Sequence, residues 1–246
     1  MTRGRGWDGV LRWGRLPAAA CLLAGAGLVA GSGAAGADSF TPGAWSGYVL
    51  KSGSYWWVNA TFTVPTGSCT QGPGESGPGT SDWVGIQGSI GGNAAIIQTG
   101  FIVECEGGQP TYTGWHADMT GTPTTTPEPM QPGDQVVAAV VCSGSTCTQE
   151  LQDVTQNWTD NLPVSVPDGW TGDVAAVASE SQAGGISTGP VPVTLVTVNW
   201  NALGQYSPEA DEQVPGNFNG TASVDPSPID ASGMNFDFAW NGNPGS

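Results

Sequence analysis

Tyr55-Trp56-Trp57-Val58-Asn59-Ala60-Thr61-Phe62-Thr63-Val64 sets Trp56, Val58, Ala60, Phe62 and Val64 against Tyr55, Trp57, Asn59, Thr61 and Thr63. The period is two, that of a strand with one face in a core and the other facing out. Met234, Phe236, Phe238 and Trp240 repeat the pattern near the C-terminus. Further strands are predicted at Trp83–Ile86, Ala94–Ile97, Val136–Val141 and Val193–Val198. The last two are apolar or β-branched on both sides, as strands sandwiched between layers would be. Gly, Pro, Ser and Thr interrupt every stretch, and no helical periodicity emerges. The reading is all-β: one domain of two packed antiparallel sheets. Gly67 to Ser81 reads as a long loop pinned by Cys69. Thr120 to Pro132 reads as a Pro/Thr-rich connection ending in Pro132-Gly133-Asp134, a turn feeding a strand.

The N-terminus has the form of an export signal. Arg3 to Arg15 is basic, Leu16 to Val29 is apolar, and Gly33-Ala34-Ala35-Gly36-Ala37 offers small residues for cleavage. The expectation is a signal peptide over 1–37, a single domain over 38–246, a secreted monomer, and no membrane association once the signal is removed. Four cysteines remain after Ala37: Cys69, Cys105, Cys142 and Cys147. An even number in an exported chain implies two disulfides. Cys142-Ser-Gly-Ser-Thr-Cys147 has the form of a closed hairpin loop, which leaves Cys69 to Cys105. No metal site is expected, because a single histidine and paired cysteines do not make the usual zinc set. No cofactor is expected either.

Charge restricts the partners. Four of the five basic residues (Arg3, Arg5, Arg12, Arg15) and one of the 21 carboxylates (Asp8) lie in the first fifteen positions. That leaves Lys51 alone against twenty Asp and Glu, a formal charge of −19. Such a surface repels nucleic acid and anionic membranes. It has almost no ion pairs to lose when carboxylates protonate, which implies work in acid. A merely anionic or salt-adapted surface is the alternative.

A Ser-His-Asp triad would have to use His116, the single histidine, and no Gly-x-Ser-x-Gly elbow is present. Cysteine nucleophiles are excluded by pairing, and Asp230-Ala-Ser-Gly only approximates the Asp-Thr/Ser-Gly signature of aspartic proteases. Carboxylates and amides remain, so acid hydrolysis by a carboxylate is the open route. Two segments stand out: Trp83-Val84-Gly85-Ile86-Gln87-Gly88 followed by Ile97-Gln98-Thr99-Gly100, and Val177-Ala178-Ser179-Glu180. An amide in an apolar strand is costly unless it is paired or faces a cleft.

These segments, with Trp45-Ser46-Gly47-Tyr48-Val49-Leu50, Thr61-Phe62-Thr63-Val64-Pro65, Tyr112 to Met119 and Pro132-Gly133-Asp134, resemble the glutamic peptidase (eqolisin, peptidase G1) family over residues 44 to 200. The resemblance implies a concanavalin-like β-sandwich, polypeptide substrates and a Gln/Glu dyad. In that dyad Glu180 is the general base and acid on water, and Gln98 orients the water and stabilises the oxyanion. It implies Trp83, Gln87, Trp115 and Asp118 on the substrate-binding side. It further implies a Glu180 pKa low in the acid range, since the base must ionise while surface carboxylates are protonated. The chain departs from the family pattern with Ala176 and Val177 in place of Glu and Trp, and Gln87 in place of Asp. Ala117 replaces a cleft glutamate, or Asp118 does if the alignment slips by one. The rival readings are a carbohydrate-binding or glycoside-hydrolysing sandwich, with Glu104, Glu106, Asp118 and Glu180 as possible carboxylates, and a catalytically impaired peptidase-like domain. Nine tryptophans follow Ala37, and strand alternation assigns most of them to the core.

Overall fold

The computed structural model describes residues 45–69, 77–90, 93–181, 186–206, 211–214, 216–218 and 222–240. The predicted signal peptide and cleavage site lie outside the described residues. In chain order the strands are β1 (Trp45–Leu50), β2 (Trp57–Thr63), β3 (Gly67–Cys69), β4 (Gly77–Ile90), β5 (Asn93–Glu106), β6 (Gln109–Ala117), β7 (Pro123–Pro129), β8 (Gln135–Ser143), β9 (Thr146–Asp153), β10 (Trp158–Ser165), β11 (Val174–Ser181), β12 (Ile186–Thr188), β13 (Val191–Val198), β14 (Asn201–Ala202), β15 (Asp211–Val214), β16 (Gly216–Phe218), β17 (Ala222–Pro226) and β18 (Phe236–Trp240). One 3-10 turn, Leu203–Gln205, interrupts them.

A seven-stranded sheet runs β15-β1-β11-β4-β5-β6-β7, and a second runs β10-β9-β8-β2-β13-β18-β17-β16 with β14 on β13. Every pairing in these two sheets is antiparallel, giving the two-sheet sandwich the alternation predicted. Between the sheets lie Val58, Ala60 and Phe62 of β2, Ile97, Phe101 and Val103 of β5, and Val136, Ala138 and Val140 of β8. Each such side chain contributes about 1.5–3 kcal/mol by leaving water, less for alanine. Disulfides join Cys69 to Cys105 and Cys142 to Cys147, the two pairs expected. Pro132-Gly133-Asp134 is a turn. Gly133 takes a φ of 91°, and the Asp134 carboxylate accepts from the Gln131 N–H and the Gln156 amide as β8 begins.

Three expectations need correction. Of the expected Gly67 to Ser81 loop, residues 67–69 are β3 and 77–81 belong to β4; residues 70–76 lie outside the described residues. Pro123–Pro129 is a strand, tolerated because β7 is a sheet edge where a missing N–H costs no ladder bond. The both-sided apolar strands are not covered on both sides: Val137 and Val141 of β8 stay half-buried on the outer face.

Nor are all the described tryptophans core, although Trp158 and Trp170 pack partly buried against it. Among the described residues only Trp83 and Trp115 are buried, whereas Trp56 is 40 % exposed and Trp200 is 64 % exposed. The period of two fails at Tyr55 and Trp56 because β2 starts only at Trp57. There the Asn199 side-chain oxygen accepts from the Trp56 and Trp57 backbone N–H groups. Asn199 and Trp200 are the two central residues of the β13–β14 hairpin, both with positive φ (47° and 66°). That turn geometry ordinarily selects Asn-Gly. A tryptophan at the second position carries a left-handed strain of about 1–2 kcal/mol. Its ring stacks on Trp57 with centroids 3.9 Å apart, an interaction worth about 0.5–1.5 kcal/mol.

Candidate active site

The site grows from β4, β5, β6 and β11, whose register sets three rows across the seven-stranded sheet. Gln98 lies between Ala117 and Gly85, and Gly85 is followed by Ala176. Gly100 lies between Trp115 and Trp83, and Trp83 is followed by Ala178. Ile102 is followed by Ser81 and then Glu180. Side chains alternate along each strand, so Gln98, Trp83, Trp115 and Glu180 all project from the outer face. They lie over a small apolar cluster of Val49, Trp83, Ile102, Trp115, Ala117, Ala176 and Ala178.

Each residue of Gln98-Thr99-Gly100 has its own task. Gln98 is partly exposed on the outer face. Thr99 points inward, where its hydroxyl donates to the Trp115 carbonyl at 3.0 Å and lies 2.9 Å from His116 Nδ1. This contact pins β6 and orients Trp115. Gly100 makes room for Trp83: a Cβ there would stand 2.1 Å from the Asp82 carbonyl oxygen and 2.7 Å from Trp83 Cα.

Glu180 ends the third row with part of its surface accessible. Burial pushes its carboxyl up to about 7, and a hydrogen bond from the Trp83 side chain offsets only part of that rise. The expected low pKa for Glu180 is therefore corrected: desolvation by the apolar cluster dominates at this position. Glu104 lies on the same face one row beyond Ile102, against Gly79, and burial with the neighbouring Glu106 raises it too.

Gln98 and Glu180 share the face without touching. They are two strands and four residues apart, a Cα separation of about 16 Å at ordinary strand spacing. Trp83 stands midway on the diagonal between them and is bonded to Glu180. Gln87 is on the same face, two residues beyond Gly85, and Trp115 flanks the middle row. Asp118 is not brought to the face. It follows Ala117 in a turn, where its carboxylate accepts from the Thr120 N–H at 2.8 Å. Ala117 is the residue that adjoins Gln98.

Other candidates are accounted for by the fold. His116 is buried with Nε2 3.6 Å from the Asp160 carboxylate. Thr99, His116 and Asp160 imitate a hydroxyl-imidazole-carboxylate relay, but the Thr99 side chain is fully buried and meets no substrate. Burial lowers the His116 pKa, and Asp160 offsets only part of this. The Asp230 carboxylate organises its own loop by accepting from Ser232 and Asn235, which hold it down at about 2. Among the described residues no three His, Cys, Asp or Glu side chains gather so as to hold a metal ion.

The model of the Peptidase A4 family matches residues 43–194. The chain belongs to this family, that of the eqolisins or glutamic peptidases, and is a peptide hydrolase. Solved structures carry the same fold. A scytalidoglutamic peptidase bound to a peptide-based transition-state analogue is 20 % identical, with 81 % of this chain and 98 % of that one covered and a TM-score of 0.62. The eqolisin SCP-B, in complex with the tripeptide Ala-Ile-His, is 19 % identical over 81 % and 98 %, with a TM-score of 0.58. Aspergilloglutamic peptidase from Aspergillus niger is 19 % identical over 66 % and 99 %, with a TM-score of 0.53. No curated protein sequence matches the chain. As in the solved eqolisins, the sandwich is two antiparallel sheets.

Proposed function

We propose that the mature chain is a secreted, monomeric, acid-acting endopeptidase in which Gln98 and Glu180 act on a polypeptide laid across Trp83. The observation that carries this reading is the shared outer face. A neutral amide and a desolvated carboxyl flank one buried indole there, and among the described residues no cation shifts that carboxyl. Ionised Glu180 takes a proton from water as the water oxygen adds to the scissile carbonyl carbon. The carbonyl oxygen becomes an oxyanion and receives the Gln98 amide N–H. Glu180 then returns the proton to the amide nitrogen, the C–N bond breaks, and an acid and an amine leave. Catalytic hydrogen bonds are often long before substrate binds, and both side chains must extend over Trp83 to meet one peptide bond.

The raised pKa sets the acid limit of activity. Below about 7 the base form of Glu180 falls roughly tenfold per pH unit. The test is cleavage of an unfolded protein between pH 3 and 8 by the exported chain, beside Gln98→Ala and Glu180→Gln. Losses of about 10²–10³ for Gln98→Ala and 10²–10⁴ for Glu180→Gln are expected. Cleavage that survives Glu180→Gln refutes the role of Glu180. N-terminal sequencing of the exported protein tests a start at Asp38.

A further inference from the structure

The second sheet carries an aromatic surface that peptide hydrolysis does not use. Trp200, 64 % exposed, stacks on Trp57 at 3.9 Å and meets Trp56 edge-on at 6.0 Å. The rings are held rigidly. The Trp57 indole N–H donates to Asn59 and Thr197 at 3.0 and 3.1 Å, and Asn199 holds the backbone of Trp56 and Trp57. Trp200 occupies a left-handed turn position that glycine would fill without strain, and Leu195 beside this hairpin is left-handed and exposed as well. A strained residue that remains mostly in water is retained for something other than the turn.

The register continues the surface along the same outer face. Val141 of β8 lies directly across from Trp57, with Thr148 of β9 beyond it. Farther along the same side come Asn59 and Thr63 of β2, Ala139, Val137 and Gln135 of β8, and Glu150 and Gln152 of β9, Glu150 being the one carboxylate among them. Lys51 is the single basic residue after Ala37, so nothing on this face attracts a polyanion. Flat indole faces beside uncharged amides and hydroxyls match a pyranose ring, which has an apolar C–H face and a rim of hydroxyls. A protein partner would require a broader apolar patch or complementary charge.

We propose that Trp56, Trp57 and Trp200 bind a neutral polysaccharide, its rings stacked on the exposed indole faces and its hydroxyls on uncharged polar side chains farther along the same face. The surface lies on the sheet opposite Gln98 and Glu180, so a chain anchored on polysaccharide keeps its other face open to protein. The proposal is independent of the catalytic assignment.

The experiment is retention of the mature protein on insoluble cellulose and chitin, and affinity electrophoresis in soluble neutral glucan and in anionic pectate. It is run beside Trp200→Gly, Trp200→Tyr and Trp56→Ala. Trp200→Gly gives the turn its preferred residue, so the fold is kept while the ring is lost. Retention on at least one neutral polysaccharide is expected, weakened at least tenfold in Trp200→Gly and partly kept in Trp200→Tyr. Proteolysis of a soluble substrate should be unchanged. The inference is overturned if no neutral polysaccharide retains the protein, if pectate alone does, or if Trp200→Gly binds as well as the parent. Self-association abolished by Trp200→Gly, without polysaccharide retention, would assign the surface to a second copy of the chain and also overturn it.

Discussion

Asp82→Asn should flatten the pH dependence of stability. Asp82 is 1 % exposed on the inward face of β4, in the row of Ser179 and Ser46. No cation offsets its burial: among the described residues the one lysine or arginine is Lys51, on the loop after β1. Burial pushes the carboxyl from 3.8 up to about 7, and Ser179 only partly opposes this. The sign follows from linkage. The folded state binds the proton more tightly than the unfolded one, so stability is greatest below pH 3.8 and is lost as pH rises toward 7. Three units at about 1.36 kcal/mol each come to roughly 4 kcal/mol. With a urea m-value of about 2 kcal/mol/M for a domain of this size, the midpoint should fall by about 2 M between pH 3.5 and 8. Asparagine mimics the protonated acid, so Asp82→Asn should match the parent at pH 3.5 and exceed its stability at pH 8. A parent that is equally stable at both pH values, or a variant that keeps the parent's slope, refutes the reasoning.

Further outcomes follow from the same geometry. The acid limb of kcat/KM should bend near pH 7, the value set by Glu180 in the free enzyme; a limb at pH 3–4 would place the base elsewhere. Imidazole resonances of the single histidine should titrate below 6.5 in an NMR pH series, since burial lowers His116; titration at or above 6.5 contradicts its placement. Gly100→Ala forces β5 away from Asp82 and should cost about 2–3 kcal/mol in denaturant melts. Replacing Cys69 and Cys105 with serine releases a 36-residue separation and should cost about 4 kcal/mol. The same change at Cys142 and Cys147 releases a separation of five and should cost about 2.

The β-sandwich was legible because alternation survives wherever one face packs and the other does not. Val58, Ala60 and Phe62 alternate, and they are core. The tryptophans misled because hydrophobicity alone does not reveal where a strand begins. Trp56 lies one residue before β2, and Trp200 sits in a two-residue turn that composition would give to glycine. At the site, the even spacing of Gln98 and Gly100, like that of Ala176, Ala178 and Glu180, put each set on one face. Their relative offset depends on pairing register, which no single strand encodes. The same limit concealed the Glu180 environment. Its desolvation comes from residues on other strands, and the single-cation composition that implied work in acid carries no information about one carboxyl.

Activity and stability should consequently pull in opposite directions. Glu180 gains its base form as pH rises to about 7, while Asp82 removes stability over the same interval. At pH 5.5 about 3 % of Glu180 is ionised, and Asp82 has cost about 2 kcal/mol of the roughly 4 available. One unit lower the base form falls a further tenfold, and one unit higher another 1.4 kcal/mol or so is lost. Among the described residues Lys51 is the one lysine or arginine, so the composition offers little that strengthens as pH rises to offset that loss. The useful range is bounded below by catalysis and above by the buried carboxyl. Asp82→Asn removes only the upper bound, so it should extend the enzyme's lifetime near pH 7 without moving the acid limb of kcat/KM.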